Sequence, residues 1–274
     1  MKLFGHRMTP LAMIGLAIVA INVGAAILAP VIAPYSETDL VGDAFADPSW
    51  DHWFGIDQIG RDIFSRMLFG ARMSIGLSLA ITCLSFTIGI IAGFSAAALG
   101  RWVDMVLSRV VDLLLSMPTL IFAFIVLSVL GTAIPVLILT IAILDSTRVF
   151  RLSRAVAMNI TVLEYVEAAK LRGEGLWWII RREILPNAVP PLVAEFGLRF
   201  CFTFLFIAAL SFLGLGIQPP NADWGSMVKD LGQVIALSPA ALFPAGAIAL
   251  LTIGVNFIVD WLLAVYSKGH GEGA

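Results

Sequence analysis

Six apolar runs, each long enough to cross a lipid bilayer, dominate this chain of 274 residues. An α-helix rises 1.5 Å per residue, so about 20 apolar residues cross a hydrocarbon layer of about 30 Å. Charged residues make up only 13% of the chain, whereas soluble domains contain about 25%. The sequence therefore predicts an all-α, polytopic membrane protein with a single transmembrane domain over residues 9–265. The six runs cover residues 9–32, 74–99, 106–130, 134–150, 189–215 and 240–265.

The distribution of basic residues predicts how these runs are oriented. Lys and Arg collect in the cytoplasmic segments of membrane proteins. Of the 17 Lys and Arg residues, twelve fall on one side of the predicted topology, four fall on the other, and Arg199 lies inside a run. We therefore expect both termini to be cytoplasmic. The cytoplasmic segments are then 1–8, 158–188 and 266–274, and the periplasmic loops are 33–73 and 216–239.

The first run follows basic residues, as a secretory signal does, but it is too long to be one. A signal peptide has an apolar core of about 7–15 residues, and this run extends over residues 9–32. Pro30 follows the small residues that could form a cleavage site. We therefore expect the first helix to be retained.

Residues 161–191 form a charged, helix-capable segment between the fourth and fifth runs. Thr161 and Glu164 fit a capping box, in which the hydroxyl and the carboxylate each bind a free backbone N–H group. This pattern predicts that a helix starts at Thr161. Gly173, with Gly175, can end it, because glycine tolerates the left-handed backbone of a helix terminus.

This short helix is predicted to be a docking surface. Ala168 and Ala169 have small side chains that let another surface approach the backbone closely, and Glu167 adds a charge that a basic partner residue can pair. The alternative is an ordinary cytoplasmic loop whose charges are solvated.

A second helical stretch follows over residues 176–185, before the next run. Proline lacks a backbone N–H group and clashes with the preceding turn. Pro186, Pro190 and Pro191 are therefore expected to break the helix there.

The outer loop 33–73 is acidic, with seven Asp and Glu residues against three Arg residues. In its second half, Ile63, Met67 and Leu68 fall on one face of a helix. This spacing suits an amphipathic helix that lies at the membrane interface before the second run. The loop is either a solvated segment with such an anchor or a site that receives a partner.

Ionisable residues inside the apolar runs are candidates for a transport path, because an unpaired charge in hydrocarbon is costly. Asp145 lies near the middle of the fourth run, with Arg148 one turn further on. Glu195 and Arg199 are four residues apart in the fifth run, in the favourable order for an intrahelical pair. The alternative for such pairs is mutual neutralisation or helix assembly.

The third run contains a similar pair and a candidate gate. Arg109 and Asp112 repeat the charge pattern of the fifth run. Met117 and Pro118 can kink the helix, because proline interrupts its hydrogen bonds. A kink that faced a subunit interface would suit a gate, although proline in a membrane helix can also be purely structural.

Catalytic motifs are missing from the sequence. There is no GxxxxGK[ST] pattern to bind ATP phosphates, no G-x-S-x-G pattern, and no cluster of residues at metal-ligand spacing. We therefore predict that the chain is not an enzyme and holds no metal or cofactor. The near-neutral net charge of -2 gives no reason to expect a nucleic-acid partner.

Three motifs, in order along the chain, carry a family resemblance. Glu167-Ala168-Ala169, Gly173 and Leu185-Pro186 resemble the EAA loop of binding-protein-dependent ABC importer permeases. The segments 54–75 and 211–227 resemble the dipeptide, oligopeptide and nickel branch of that family. Two features depart from the family pattern, since Glu183 stands where an isoleucine is usual and the tail lacks an Asp-Pro-Arg ending.

The resemblance implies a multi-pass permease of about six helices with the type I ABC importer fold, in the bacterial inner membrane. The expected partners are membrane lipid, a second homologous permease, two ABC ATPases that bind ATP and magnesium, and a periplasmic or lipid-anchored binding protein. The candidate ATPase-coupling residues are Glu164, Glu167, Ala168, Ala169, Arg172, Gly173, Leu185 and Pro186. The candidate pathway or gate residues are Asp145, Met117, Pro118, Glu195 and Arg199. The candidate binding-protein contacts are Asp57, Arg61, Asp62, Asp223 and Trp224.

The resemblance leaves the cargo open among dipeptides, longer peptides, glutathione, nickel complexes and oligosaccharides. Two other classes remain as alternatives from the residues alone. A secondary transporter could also have six spans and intramembrane charges, but it would transport without an ATPase. A membrane hydrolase would need convergent catalytic groups at one depth, and none is evident in the sequence.

Overall fold

The computed structural model describes residues 2–3, 6–232 and 239–271, which are mainly helical. The predicted tail 266–274 and the outer loop 216–239 therefore lie partly outside the described residues. Two short strands, β1 (Lys2–Leu3) and β2 (His6–Arg7), pair in antiparallel fashion. The helices are α1 (Pro10–Ile32), α2 (Ile63–Leu99), α3 (Arg101–Leu115), α4 (Thr119–Leu130), α5 (Ile134–Thr161), α6 (Glu164–Leu171), α7 (Leu176–Ile179), α8 (Leu185–Phe212), α9 (Trp224–Gly232) and α10 (Leu242–Gly271). A π-helical segment (Ile180–Ile184) joins α7 to α8, and a 3₁₀ turn (Pro239–Ala241) precedes α10.

The most extensive contact between two helices in the described part of the bundle is that of α2 with α5. A Cβ atom placed on Gly89 of α2 would lie 2.6 Å from Cβ of Val149, and one placed on Gly93 would lie 2.8 Å from Cβ of Ser153. These two glycines face α5 because they are four residues apart on one side of α2. Small residues at such positions let two membrane helices pack backbone against backbone.

The buried apolar side chains form three main clusters that follow α2 along its length. We name the Ile63 end of α2 the outer end and the Leu99 end the inner end, after the topology that the basic residues predict. The outer cluster contains Ile63 and Trp224, and the middle cluster contains Ile81. The inner cluster contains Phe86 and extends to Val166 in the segment between the fourth and fifth runs. That segment is therefore part of the folded body of the protein.

Within the described residues, four helices are long and apolar enough to cross a membrane. They are α1, α2, the continuous stretch Leu176–Phe212, and α10 as far as Tyr266. The predicted third span is not one continuous helix, because α3 and α4 meet at an angle of 87°. The predicted kink at Met117-Pro118 lies at this break, so the break is confirmed and is far sharper than a kink.

The helix α5 corresponds to the predicted fourth run, but its charges keep it from being counted among the apolar helices. It has 28 residues, or about 42 Å at 1.5 Å per residue, and it contains Asp145, Arg148 and Arg151. It packs against α2, α3, α4 and α8. With Arg154, the helix carries four charges, and it packs against several other helices because hydrocarbon does not solvate charged groups.

The predicted starts of two helices are wrong. The separate interfacial helix before the second run is absent, since α2 begins at Ile63 with Asp62 as its N-cap and runs on to Leu99. Thr161 does not cap a helix, because it is the last residue of α5 and its hydroxyl donates to the carbonyl of Met158. The N-cap of α6 is Leu163, which has no side-chain cap.

The prolines after residue 185 do not break the helix either. The chain stays helical from Leu176 to Phe212. In the π-helical segment the N–H group of Leu185 bonds to the carbonyl of Ile180, five residues back. This wider turn shifts the hydrogen-bond register just before Pro186, which stands in the first turn of α8 where its missing N–H group costs least.

We predict that Gly89→Val lowers the stability of the isolated chain in detergent. The new side chain would overlap Val149 and the carbonyl of Ser146, so the free energy of unfolding should fall by about 1–3 kcal/mol. Gly76→Ala is the matched control, because a Cβ atom on Gly76 of the same helix meets nothing within 4 Å. Thermal unfolding monitored by circular dichroism measures both. Equal melting temperatures for Gly89→Val and wild type would contradict the close packing of α2 and α5.

Candidate functional site

The helix α6 is attached to the bundle by one of its faces. Val166 and Ala169 are fully buried on that face. They belong to the same cluster as Ile160 at the end of α5, Ile184 in the π-helical segment and Ala188 in the first turn of α8. The helix α6 packs against α5 and α7, and this shared cluster connects it to α8.

The opposite face of α6 is exposed. Glu164, Glu167 and Ala168 are exposed on it. Leu171 is 85% exposed, and Val162, just before the helix, is 78% exposed. Apolar side chains this exposed at the edge of a short charged helix indicate a surface that another protein covers. We call these five residues the α6 surface.

The end of α6 is fixed by a defined hydrogen-bond pattern. Gly173 has φ of 81°, a left-handed backbone that favours glycine. Its N–H group donates to the carbonyl of Lys170, and that of Glu174 donates to the carbonyl of Ala169. This is a Schellman motif, so the prediction that Gly173 ends the helix is confirmed. Arg172 lies next to it, with its guanidinium 5.9 Å from the centre of the Trp178 ring.

The structure divides the predicted coupling residues between the surface and the core. Ala169 is fully buried, so its side chain anchors α6 and does not lie on the exposed face, and its part in ATPase coupling stays a prediction. Arg172 and Gly173 are exposed at the end of α6, and Leu185 and Pro186 are exposed at the start of α8. Ile184 is fully buried, whereas Glu183 beside it is half-buried.

A second polar group lies inside the bundle, between α5 and α8. The predicted pair of Glu195 and Arg199 is confirmed, with 2.8 Å between Oε1 and Nε. This contact is ionic, since the Nε–H group has no acceptor in hydrogen-bonding geometry. Arg199 also reaches across to α5, where its Nη1 lies 3.6 Å from Oδ1 of Asp145. Arg148 lies on the other side of that oxygen at 3.9 Å.

A third helix, α2, completes the surroundings of Asp145. The hydroxyl of Ser85 donates to its Oδ2 at 3.1 Å. The four charged residues Asp145, Arg148, Glu195 and Arg199 therefore connect α5 with α8, and Ser85 adds α2. We call these four residues the charge cluster.

A cavity of about 160 Å³ opens beside the charge cluster. Asp145, Arg148 and Thr203 provide its polar lining, and Phe202 is among the aromatic residues. Thr119, the first residue of α4, also lines it. The predicted gate residues Met117 and Pro118 therefore stand directly before a cavity-lining residue, at the break between α3 and α4.

The polar face of α3 is held to α5 by two ion pairs. Asp112 pairs with Arg151 at 2.8 Å, and Asp104 pairs with Arg154 through both carboxylate oxygens. The predicted pairing of Arg109 with Asp112 is therefore wrong. The two residues of each pair are 39 and 50 positions apart along the chain, so no local spacing indicates the pairs. The sequence shows only that Arg151 and Arg154 lie near the end of α5 and need acidic partners.

At the outer end of the molecule, a buried polar network holds the loop after α1 against α2. Asp57 accepts from Nε of Arg61 at 2.7 Å and lies 3.5 Å from Nε of Arg66. Asp62 accepts from the N–H group and the hydroxyl of Ser65, each at 2.7 Å, and so caps α2. These carboxylates accept hydrogen bonds on several sides, which offsets the cost of burying them.

A second part of this network ties the loop before α9 to α2. The hydroxyl of Ser74 donates to Asp223, and the indole N–H group of Trp224 donates to the carbonyl of Met67 at 2.9 Å. Burial raises the pKa of Asp223, and hydrogen bonds, first among them that from the N–H group of Ser226, oppose the rise.

The predicted contacts with a soluble binding protein are all buried in this outer network. Their exposed fractions are 6% or less, so their side chains do not form an exposed docking surface. These residues instead fix the outer loops to α2. They are Asp57, Arg61, Asp62, Asp223 and Trp224.

No metal-binding group occurs in the described part of the chain. Sets of three or more His, Cys, Asp or Glu residues arranged to hold an ion are absent there. Both cysteines are free, Cys83 on the surface of α2 and Cys201 buried in α8.

Comparison with known proteins gives two family matches. A family described as the binding-protein-dependent transport system inner membrane component matches residues 85–269. A second family, the N-terminal transmembrane domain of oligopeptide transport permease C, matches residues 7–48.

Individual relatives cover most of the chain. It is 38% identical over 259 residues to a dipeptide transport system permease protein of Alkalihalophilus pseudofirmus, which covers 92% of this chain and 84% of that protein. It is 37% identical over 215 residues to a probable D,D-dipeptide transport system permease protein of Escherichia coli, with 78% and 72% covered. A glutathione transport system permease protein of Pectobacterium atrosepticum is 34% identical over 216 residues, with the same coverage.

We predict that Asp57→Ala strongly destabilises the outer end of the protein. The change leaves Arg61 and Arg66 buried without their shared carboxylate, and breaking a buried ion pair in this way costs about 3–5 kcal/mol. Limited proteolysis of the loop and thermal unfolding measure the effect. Asp47→Ala is the matched control, because Asp47 is exposed in the same loop. If both variants resist protease as wild type does, Asp57 has no structural role.

Proposed function

The chain belongs to the family of binding-protein-dependent transport system inner membrane components, and we propose that it forms half of a membrane path for importing short peptides. It is the permease of an ABC importer and not an ATP-independent secondary transporter. The peptide cargo rests on the relatives, which are described as transporting dipeptides, D,D-dipeptides and glutathione. All three cargoes are small and contain amide bonds.

The proposed assembly contains a second, homologous permease, two ATPases below the membrane and a soluble binding protein above it. The absence of a P-loop motif supports separate ATPases, since this sequence has no loop to bind nucleotide phosphates. ATP and magnesium would then be bound on those subunits. We further propose that both termini and α6 face the cytoplasm of a bacterial cell, as the placement of basic residues indicates.

One observation carries the proposed mechanism. The helix α6 exposes Glu167 and Ala168 on one face and buries Val166 and Ala169 on the other, in a cluster that includes residues of α5 and α8. An ATPase bound to the exposed face would move α6 as a rigid body when the ATPases close. Packed apolar cores transmit such displacements because they have little free volume to absorb them.

The movement would reach the transport path through the two helices that α6 joins. Asp145 lies on α5 and Arg199 lies on α8, so a relative tilt of these helices changes the distances within the charge cluster. ATP-driven closure of the ATPases would in this way switch the path between inward-facing and outward-facing states. The break at Met117-Pro118 would serve as the hinge of the gate.

For the soluble binding protein, we propose that docking uses the exposed tips of the outer loop. Trp50 is 95% exposed and Trp53 is 62% exposed, with the acidic Asp47 and Asp51 near them in sequence. Exposed tryptophans are typical of protein interfaces. The buried network that joins this loop to α2 would transmit a displacement of the loop to that helix.

We predict that Ala168→Arg abolishes transport without disturbing membrane insertion. A long charged side chain on the α6 surface would prevent close contact with the ATPase, so ATP-dependent peptide uptake should fall at least about tenfold. Uptake into proteoliposomes and co-purification of the ATPases on the tagged chain measure the two effects. Normal uptake by this variant would contradict the role of α6.

The matched control for this experiment is Gly175→Ala. Gly175 is exposed just beyond α6, and its added Cβ atom would meet nothing within 4 Å. Its φ of -72° suits alanine, so this variant should transport as wild type does. Crosslinking from residue 168 to an ATPase in the assembled complex gives a second, independent measurement.

A further inference from the structure

The cavity beside the charge cluster contains polar groups whose bonding is incomplete. The hydroxyl of Thr203 is buried, and it has no hydrogen-bond partner in the structure. Most buried hydroxyls find a partner, because an unpaired buried polar group costs about 1–3 kcal/mol. An orphan hydroxyl in the wall of a cavity therefore suggests that the partner is a molecule that enters it.

Asp145 is also less well bonded than a buried carboxylate usually is. Its Oδ2 accepts one hydrogen bond from Ser85. Its Oδ1 has only the guanidinium groups of Arg199 at 3.6 Å and Arg148 at 3.9 Å, both too long for hydrogen bonds. This oxygen can accept a donor from a ligand without losing an existing hydrogen bond.

The two arginines differ in how firmly they are held. Arg199 is mostly buried and stays close to Glu195, at 2.8 Å. The side chain of Arg148 is 45% exposed, and its one ion pair in the structure is the long contact with Asp145. Arg148 is therefore the cavity-lining cation that is free to bind an incoming anion.

We propose that this cavity is a transient binding site for the charged ends of a zwitterionic short peptide. The ammonium group of the peptide would bind Oδ1 of Asp145, its carboxylate would bind Arg148, and the hydroxyl of Thr203 would bind a peptide amide group. The carboxylate of Asp145 and the guanidinium of Arg148 both line the cavity. Such a site complements a ligand that carries both charges better than a ligand that carries only one. The proposal rests on the peptide-import function and adds the chemistry that the cargo must have.

The size and position of the cavity agree with a transient site. Pockets that enclose a whole drug-sized ligand have volumes of about 300–1,000 Å³. This cavity, at about 160 Å³, holds a fragment and leaves the rest of the peptide outside. Thr119 places the cavity at the start of α4, beside the break that would act as the gate.

The decisive variant is Thr203→Val, which removes the hydroxyl and keeps the shape of the side chain. The hydroxyl has no partner among the residues that the structure describes, so its removal should leave the melting temperature unchanged or raise it. Ser153→Ala is the matched control, because it removes the other orphan buried hydroxyl of the bundle, which is not among the cavity-lining groups. A purely structural role predicts the same behaviour for both variants.

Binding is measured on the assembled permease–ATPase complex in nanodiscs, without the soluble binding protein. Saturation-transfer NMR reports weak binding of L-alanyl-L-alanine and of its doubly blocked form, N-acetyl-L-alanyl-L-alanine amide. We expect the free dipeptide to bind wild type and Ser153→Ala equally. We expect about fivefold weaker binding to Thr203→Val, the effect of one lost hydrogen bond, and weaker binding of the blocked dipeptide to all three proteins.

Three results would overturn the proposal: no binding to wild type, equal binding to Thr203→Val and wild type, or equal binding of the free and blocked dipeptides. ATP-driven uptake of peptides by the wild-type complex with its binding protein tests the import function separately. A complex that imports peptides while Thr203→Val binds and transports normally would refute the cavity site alone. A wild-type complex that imports no peptide would refute the function on which the site rests.

Discussion

The close approach of α2 and α5 is the contact on which the rest of the structure depends. Gly89 leaves room for Val149 to lie against the backbone of α2, and Gly93 does the same for Ser153. One turn before Gly89, the hydroxyl of Ser85 reaches Asp145. The same packing therefore brings a charged helix to the interior of the bundle and supplies one of its hydrogen bonds.

The two ends of the molecule are built in different ways, and the difference suits their proposed tasks. The outer end is fixed by buried carboxylates that each bind several donors, as Asp57 and Asp62 do. The inner end is fixed by apolar packing. The buried residues of α6 are Val166 and Ala169. A polar network is specific in geometry and resists sliding, whereas an apolar cluster lets a short helix move together with its neighbours.

Sequence reasoning succeeded where the interacting residues are close along the chain or where a pattern repeats. The apolar runs predicted the long helices, and the spacing of Glu195 and Arg199 predicted their ion pair. The left-handed turn at Gly173 follows from the freedom of glycine. The proline at position 118 indicated an interruption, but its size, 87°, depends on the helices packed around it.

Sequence reasoning failed where the tertiary structure decides between similar residues. Ala168 and Ala169 are adjacent and identical, and only the direction of α6 exposes one and buries the other. Asp112 bonds to Arg151 instead of its neighbour Arg109 because α5 passes beside α3. Asp57 and Asp223 lie in loops of the kind that is usually exposed, and the network that buries them joins segments about 150 residues apart. The cavity beside Thr203 is formed by α4, α5 and α8, so no single segment reveals it.

The composition of the charge cluster has an electrical consequence. Asp145 and Glu195 are formally negative and Arg148 and Arg199 are formally positive, so the formal charges of the four sum to zero. Moving one net charge through a membrane potential of 100 mV involves about 2.3 kcal/mol, but moving a neutral set involves almost none. Displacing these four side chains across the membrane field therefore adds almost no voltage dependence to the proposed tilt of α5 and α8.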